Sequence, residues 1–275
     1  MSIVRSRRRQ DNAPFERAAR IIRKAAGIAL SPAKSSLILS RLNKRIIATG
    51  SADLTGYLDL IEGPEGEAEM PFMISALTTN VTHFFRERHH FETLERQVLP
   101  ELANRPSGQP IRIWSAGCSS GQEAYSVAMI AHAAGARTAE ATHIHGTDID
   151  HSILDRARMA EYSAAEMENI PRAMIFEHFH KTPTGYKVRG PLARMVSFDR
   201  MNLVAAWPAG IRYDVIFCRN VVIYFDAATQ AELWRRFHQA LSPGGWLFIG
   251  HSERIAPEAQ NLFNCAGITT YRQRS

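Results

Sequence analysis

Three cysteines, Cys118, Cys218 and Cys265, are all that this chain contains, and no two are spaced as a CxxC pair. Their scarcity argues against a disulfide framework or a cysteine-built zinc site, and it fits a reducing cytoplasm. Long apolar runs are also missing, since none approaches the ~20 residues that span a bilayer. The opening MSIVRSRRRQDN is basic, but no apolar stretch follows it, so it does not read as a secretory signal. No internal repeat is visible.

What is present is the composition of a globular protein: 275 residues, 45% hydrophobic and 22% charged. The net charge of +6 permits an acidic partner but selects none. Much of the excess sits in Arg5, Arg7, Arg8 and Arg9, read as a solvated, flexible basic tail over residues 1–12.

Residues 13–75 read as a small helical domain. PFERAARIIRKAAGIAL has helical spacing, with Pro14 suited to a first turn. Ser31-Pro32 is an N-cap followed by the first helical position, and the helix it opens stops at Gly50. On that helix Ile38, Leu39, Leu42 and Ile46 share one face, with Lys34, Arg41 and Arg45 alongside and Lys44 nearby. IEGPEGEAEM is expected to be a surface loop and PFMISALTTN a further helix.

Over residues 76–275 the texture changes to strands alternating with helices, which predicts βαβ units and a parallel sheet. IRIWSAG, THIHGTDI, YDVIFC and WLFIGH are the predicted strands. EAYSVAMIAHAAG, SILDRARMAEY and ATQAELWRRFHQAL are the predicted helices. An inserted antiparallel hairpin is expected at about 180–198, where Gly190-Pro191 separates two strand-like segments.

The candidate chemistry gathers at strand ends. SAGCSSGQE is a strand-to-helix turn in which Gly117 and Gly121 allow a close approach of the backbone. It is not GxGxxG, and Glu123 at the helix start would repel a pyrophosphate but accept an ammonium group. Asp148 ends a strand, where a carboxylate can accept from both ribose hydroxyls, and Asp150 is available to cap the following helix. His143 and His145 face one way, yet they lack further ligands for a metal. Together these features suggest a nucleoside that bears an amino acid and no pyrophosphate. S-adenosylmethionine fits, and with it a Rossmann-like class I methyltransferase sheet with helices on both faces, an α/β fold preceded by the all-α domain. Arg219 and Asn220, at the end of the buried strand DVIFC, mark the same rim.

TTNVTHFFRERHHF, SAGCSSGQEAYS, FCRNVVIYFD and GHSE, in this order, resemble the bacterial chemotaxis receptor methyltransferases, the CheR family. The resemblance covers nearly the whole chain. It implies methylation of glutamates on the cytoplasmic helices of chemoreceptors, with S-adenosyl-L-homocysteine as product and no metal. It places cofactor contacts at Asn80, Thr82, Arg86, Glu123, Asp148, Asn202, Leu203, Arg219 and Asn220, and docking in the helical domain, through Lys34, Arg41, Lys44 and Arg45. Tyr224 is the candidate for orienting the substrate carboxylate. The implied site of action is cytoplasmic, at membrane-associated receptor arrays, without membrane insertion or nucleic acid. The insert is short for the family's receptor-tail-binding type, so no strong tether is expected. His89 and His90 read as surface or packing residues, and Cys118 as a small turn residue. The alternatives are a non-catalytic S-adenosylmethionine-binding sensor or scaffold, and a nucleic-acid methyltransferase. The second would lack a Pro-Pro-aromatic catalytic loop.

Overall fold

The computed structural model describes residues 2–78, 80–105 and 109–274, with only the backbone described for residues 2–12, Lys34 and Ala136. Two compact units emerge. One takes the N-terminal helices and the segment Tyr224–Asp226, and the other takes the remainder.

The first unit contains α1 (Ser2–Ala26), α2 (Ser35–Ala48), α3 (Leu54–Glu62) and α4 (Gly66–Leu77). Phe15, Ala18, Ile22 and Ala26 recur at helical spacing along α1 and are buried. The helix starts at Ser2, so the stretch expected to be a flexible tail is helical, and Pro14 lies inside the helix and not in its first turn. Arginine and glutamine are good helix formers, and a proline ring removes a single main-chain donor. IEGPEGEAEM is mostly helical too, with its turn confined to 63–65. Gly66 is needed there, because a Cβ would fall 1.8 Å from the carbonyl oxygen of Ile61. On α2, Ile38 and Leu42 are buried, whereas Leu39 is exposed and Ile46 half-buried, so the buried stripe is narrower than expected. The segment Tyr224–Asp226 joins this unit through its main chain. Ala29 N–H donates to Tyr224 O at 2.8 Å, and Ile28 bridges to Phe225.

The second unit contains β1 (Ile111–Ala116), β2 (Thr142–Asp148), β3 (Glu161–Tyr162), β4 (Phe179–Lys181), β5 (Tyr186–Val188), β6 (Val196–Arg200), β7 (Tyr213–Cys218), β8 (Leu241–Ile249), β9 (Phe263–Gly267) and β10 (Thr270–Gln273). Seven strands form the main sheet in the order β6-β2-β1-β7-β8-β10-β9. The pairs β6–β2, β2–β1, β1–β7 and β7–β8 are parallel, and β10 runs antiparallel to both β8 and β9. Side chains alternate across the sheet. Phe217 stacks on Phe248 at 4.5 Å and on Phe91 at 6.0 Å on one face. On the other face Trp114 packs against Phe237 of the helix Ala227–Ala240 at 5.5 Å. All six residues of β7 are buried. Its Asp214 is offset by Arg105 Nη1 at 2.5 Å and Arg112 N–H at 2.9 Å.

The predicted hairpin around Gly190-Pro191 does not form. The antiparallel element is the three-stranded sheet β3-β5-β4, whose tight connection is residues 182–185. Gly190–Ala193 is a short helix, where proline suits the first turn, and Val196–Arg200 pairs in parallel with β2 as an edge of the main sheet. Both segments have strand composition, and only the partner distinguishes them.

Candidate functional site

Parallel strands bring their carboxyl ends to one rim of the sheet, and there the loops after β1, β2, β7 and β8 meet. After β1, Gly117 has φ +82° and Gly121 φ +89°, a left-handed backbone that glycine adopts without strain. A Cβ on Gly117 would fall 2.4 Å from Val221 Cγ2, so the close approach this glycine allows is to the loop after β7.

Asp148 closes β2. Its Oδ2 accepts from Ser119 N–H at 2.9 Å and its Oδ1 from Asp150 N–H at 3.0 Å, which ties the first turn to the second. Burial pushes its carboxyl pKa up, and these N–H groups pull it back. Helix capping is done by Asp150, which accepts from Ser152 N–H at 3.0 Å and Ile153 N–H at 3.4 Å. Asn80 joins the same rim: its Nδ2 donates to Asp150 Oδ2 at 2.9 Å, and its carbonyl accepts from Ser119 Oγ at 3.1 Å.

Arg219 follows β7 with its side chain only 2% exposed. Nη1 donates to Glu123 Oε2 at 3.0 Å, Nη2 stands 3.5 Å from Glu87 Oε2, and Nη2 also donates to the carbonyl of Arg86. The guanidinium lies over the Phe91 ring at 5.6 Å. Ser115 Oγ donates to the other oxygen of Glu123 at 2.6 Å. Burial would raise the Glu87 pKa, but the hydrogen bonds from His251 and the charge of Arg219 outweigh it and hold the carboxyl at about 2. Arg86 lies between Phe85 and Glu87, both at positive φ, and its Nη1 donates to Val81 O at 3.0 Å. It is therefore a loop residue and not a helix charge. Thr82 is half-buried on the same segment.

Asn220 has a left-handed backbone with φ 60°. Glu253, 2% exposed, fixes it: the carboxylate accepts from the N–H groups of Asn220 at 3.0 Å, Val221 at 2.8 Å, Val222 at 2.9 Å and Gly250 at 2.5 Å. Burial pushes the Glu253 pKa up and these donors oppose it. Asn202 makes a turn, its Oδ1 accepting from Val204 N–H at 3.1 Å, while Leu203 is buried. Met201 N–H donates to Asp148 O at 2.9 Å, which sets this turn beside β2.

The larger unit thus gathers the predicted Asn80, Arg86, Glu123, Asp148, Asn202, Leu203, Arg219 and Asn220 around the strand ends, with Thr82 on the adjoining segment. Tyr224 is grouped with the helical unit instead. Sequence reasoning missed Glu87, Ser115, His251 and Glu253. All four lie in quoted motifs, FFRERHHF, SAGCSSGQEAYS and GHSE, but nothing in local spacing shows which buried groups they meet. His143 bonds Ser197, and His145 bonds Tyr213 and Asp199, so neither turns to Asp148. His90 is fully buried, bonds Thr269 and is held neutral by burial, which pushes its pKa to about 3. Cys118 is buried and its thiol pKa is pushed well up, which suits a turn residue.

In the helical unit Arg45 donates to both oxygens of Glu69 at 2.8 Å and stacks on Phe72 at 4.6 Å. Arg41 donates to Leu77 O at 3.2 Å and Thr78 O at 3.5 Å. Both arginines therefore hold α2 against α4, whereas Lys44 is exposed, and the side chain of Lys34 lies outside the described residues.

The residues fit an amino-acid-bearing nucleoside. Arg219 Nε and Glu87 Oε2 are buried and make no hydrogen bond among the described residues, which leaves one donor and one acceptor unfilled in the same network. These are the two groups that a carboxylate and an ammonium require.

Comparison with known proteins agrees with this chemistry. Residues 80–272 match the CheR methyltransferase SAM-binding domain, and residues 13–78 match the CheR methyltransferase all-alpha domain. A probable chemotaxis protein methyltransferase of Rhizobium etli is 45% identical over 253 residues, covering 90% of this chain and 94% of the relative. The chemotaxis protein methyltransferase of Escherichia coli is 37% identical over 266 residues, covering 94% and 90%. That of Borreliella burgdorferi is 36% identical over 248 residues, covering 88% of each. With both halves of the chain matched and the strand-end chemistry in place, the chain belongs to the CheR methyltransferase family.

Proposed function

We propose that the protein methylates glutamate side chains on the cytoplasmic helices of chemoreceptors, as a protein-glutamate O-methyltransferase using S-adenosyl-L-methionine. The observation that carries the reading is Arg219, buried between Glu87 and Glu123 at the strand ends, in a chain whose relatives are named chemotaxis methyltransferases.

The cofactor supplies a methyl group already activated on a sulfonium. A glutamate carboxylate with an ordinary pKa of about 4.3 is ionised at neutral pH, so no metal and no general base is required. The chain's own contribution is position and dryness, worth up to several kcal/mol. Asp148 accepts from the ribose hydroxyls, and Arg219 and Glu87 take the amino-acid end. Glu123 keeps Arg219 in place, and Glu253 holds the Asn220 loop in its left-handed turn. Tyr224 orients the incoming carboxylate, since a neutral donor dulls its nucleophilicity less than an arginine would.

Docking on receptor helices falls to the basic side of α2. Lys44 is the exposed cation there, and Arg41 and Arg45 contribute charge while bracing the unit. The strands of the small antiparallel sheet are only two or three residues long, which supports an absence of strong tethering to a receptor tail by strand addition. The enzyme acts in the cytoplasm at receptor arrays. Among the described residues no helix is long and apolar enough to cross a membrane.

Incubation with methyl-labelled cofactor and receptor cytoplasmic fragments tests the reading. Label that is released as methanol by base is expected. Label that resists base would point to another acceptor atom, and no incorporation despite cofactor binding would overturn the enzymatic reading.

A further inference from the structure

A second cluster of ligating side chains lies at the far end of the helix Gln122–Ala133. His132 is about 13 Å along the helix axis from Glu123, at 1.5 Å per residue. His132 Nδ1 stands 3.5 Å from Glu177 Oε1, and His178 Nε2 stands 3.8 Å from Glu177 Oε2. The two imidazole rings are 5.1 Å apart and nearly perpendicular. One ligand atom from each residue falls within 4.8 Å of the others.

These separations suit a metal. Bonds of about 2.0–2.2 Å in tetrahedral geometry place donor atoms about 3.4 Å from one another. The donor set, two imidazoles and a carboxylate, is one that borderline divalent ions such as zinc favour. The His178 side chain is only 4% exposed, with its ring packed edge-on against that of His132. His132 and Glu177 are partly exposed, which leaves a side open for water as a further ligand. The cleft beside His132 carries one charge of each sign, Glu140 and Arg194.

The other grouping of ligand atoms, Glu87, His89 and His90, lacks this character. The Arg219 guanidinium stands 3.5 Å from Glu87 Oε2, where a metal cation would be repelled.

We propose that His132, Glu177 and His178 form a divalent transition-metal site, best suited to zinc, that clips the helix Arg172–His178 to the helix Gln122–Ala133. The site is separate from the methyl-transfer chemistry. It braces the start of the small antiparallel sheet, because β4 begins immediately after His178.

The test uses the full chain stripped of metal with a chelator and then titrated with Zn²⁺ by calorimetry and with Co²⁺ by visible absorption. One equivalent is expected to bind, Co²⁺ is expected to show the intense bands of four-coordination, and Zn²⁺ is expected to raise the Tm. His132→Ala and Glu177→Ala change partly exposed side chains. Each should weaken Zn²⁺ binding by about tenfold or more and remove the Tm shift, with cofactor affinity unchanged. No saturable uptake by the wild type would overturn the proposal. So would uptake of undiminished affinity by both variants.

Discussion

Each unit of this protein pairs an arginine with glutamate, and the two arrangements differ in what they leave over. In the helical unit, Glu69 is saturated: Arg45 occupies both oxygens and Tyr57 OH adds a bond at 2.9 Å. In the larger unit Arg219 is shared between Glu123 and Glu87, and Arg219 Nε and Glu87 Oε2 make no hydrogen bond among the described residues. A closed network holds helices together. An open one of similar composition is prepared for a ligand that completes it. Arginine beside glutamate is therefore uninformative by itself, and the unsatisfied valence is what marks the site.

The largest expected effect breaks the open network. Arg219→Gln strands Glu123 and Glu87 without their cation and should cost roughly 3–5 kcal/mol of stability in chemical denaturation. Cofactor binding by calorimetry should vanish with it, and retained affinity would make Arg219 purely structural. Arg45→Ala breaks the closed network instead. Its side chain is 26% exposed, so water compensates in part, and a loss of about 1–3 kcal/mol is expected. Cofactor affinity should stay at the wild-type value, and a drop would show that the two networks are coupled.

Asp148→Asn sharpens the comparison within the rim. It keeps the shape and loses the charge, so cofactor binding should weaken by about 1–3 kcal/mol, and stability should fall too, because the amide NH2 would face one of the two N–H groups, of Ser119 or Asp150, that the carboxylate accepts from. Unchanged affinity would remove Asp148 from the site. Lys44→Glu tests docking without touching the brace of α2. Receptor methylation should slow at low salt, and the difference from wild type should shrink as ionic strength rises and the Debye length falls from ~10 Å at 0.1 M to ~3 Å at 1 M. Equal rates at low salt would leave Lys44 a solvated charge.

The smallest effect is in acid. Glu87 has its folded pKa depressed to about 2 from an ordinary 4.5, so its contribution to stability is complete above about 4.5 and is lost as pH falls through about 2. His251→Ala removes the Nδ1 contact at 2.9 Å and lets that pKa rise. Acid unfolding, followed by circular dichroism, should then begin at a higher pH. At neutral pH the change should stay below about 1 kcal/mol, because His251 is exposed.

The sequence by itself determined the alternation of strands and helices, the glycine turn after β1, the Asp150 cap beside Asp148 and the rim on which Arg219 and Asn220 lie. Each is written in local spacing: a period of two or of 3.6, a glycine at a turn, a carboxylate at a strand end. Only the tertiary structure decided that Val196–Arg200 is an edge of the main sheet, because a short strand carries no mark of its partner. It alone paired Arg45 with Glu69 and so turned a solvent-facing stripe into a brace. It also brought Glu253 onto the N–H groups of Asn220, Val221 and Val222, and Glu87 onto Arg219 from 132 residues earlier in the chain. Such contacts leave no periodic trace in the sequence, since a carboxylate reads the same whether it faces water or a buried cation until the chain has closed around it.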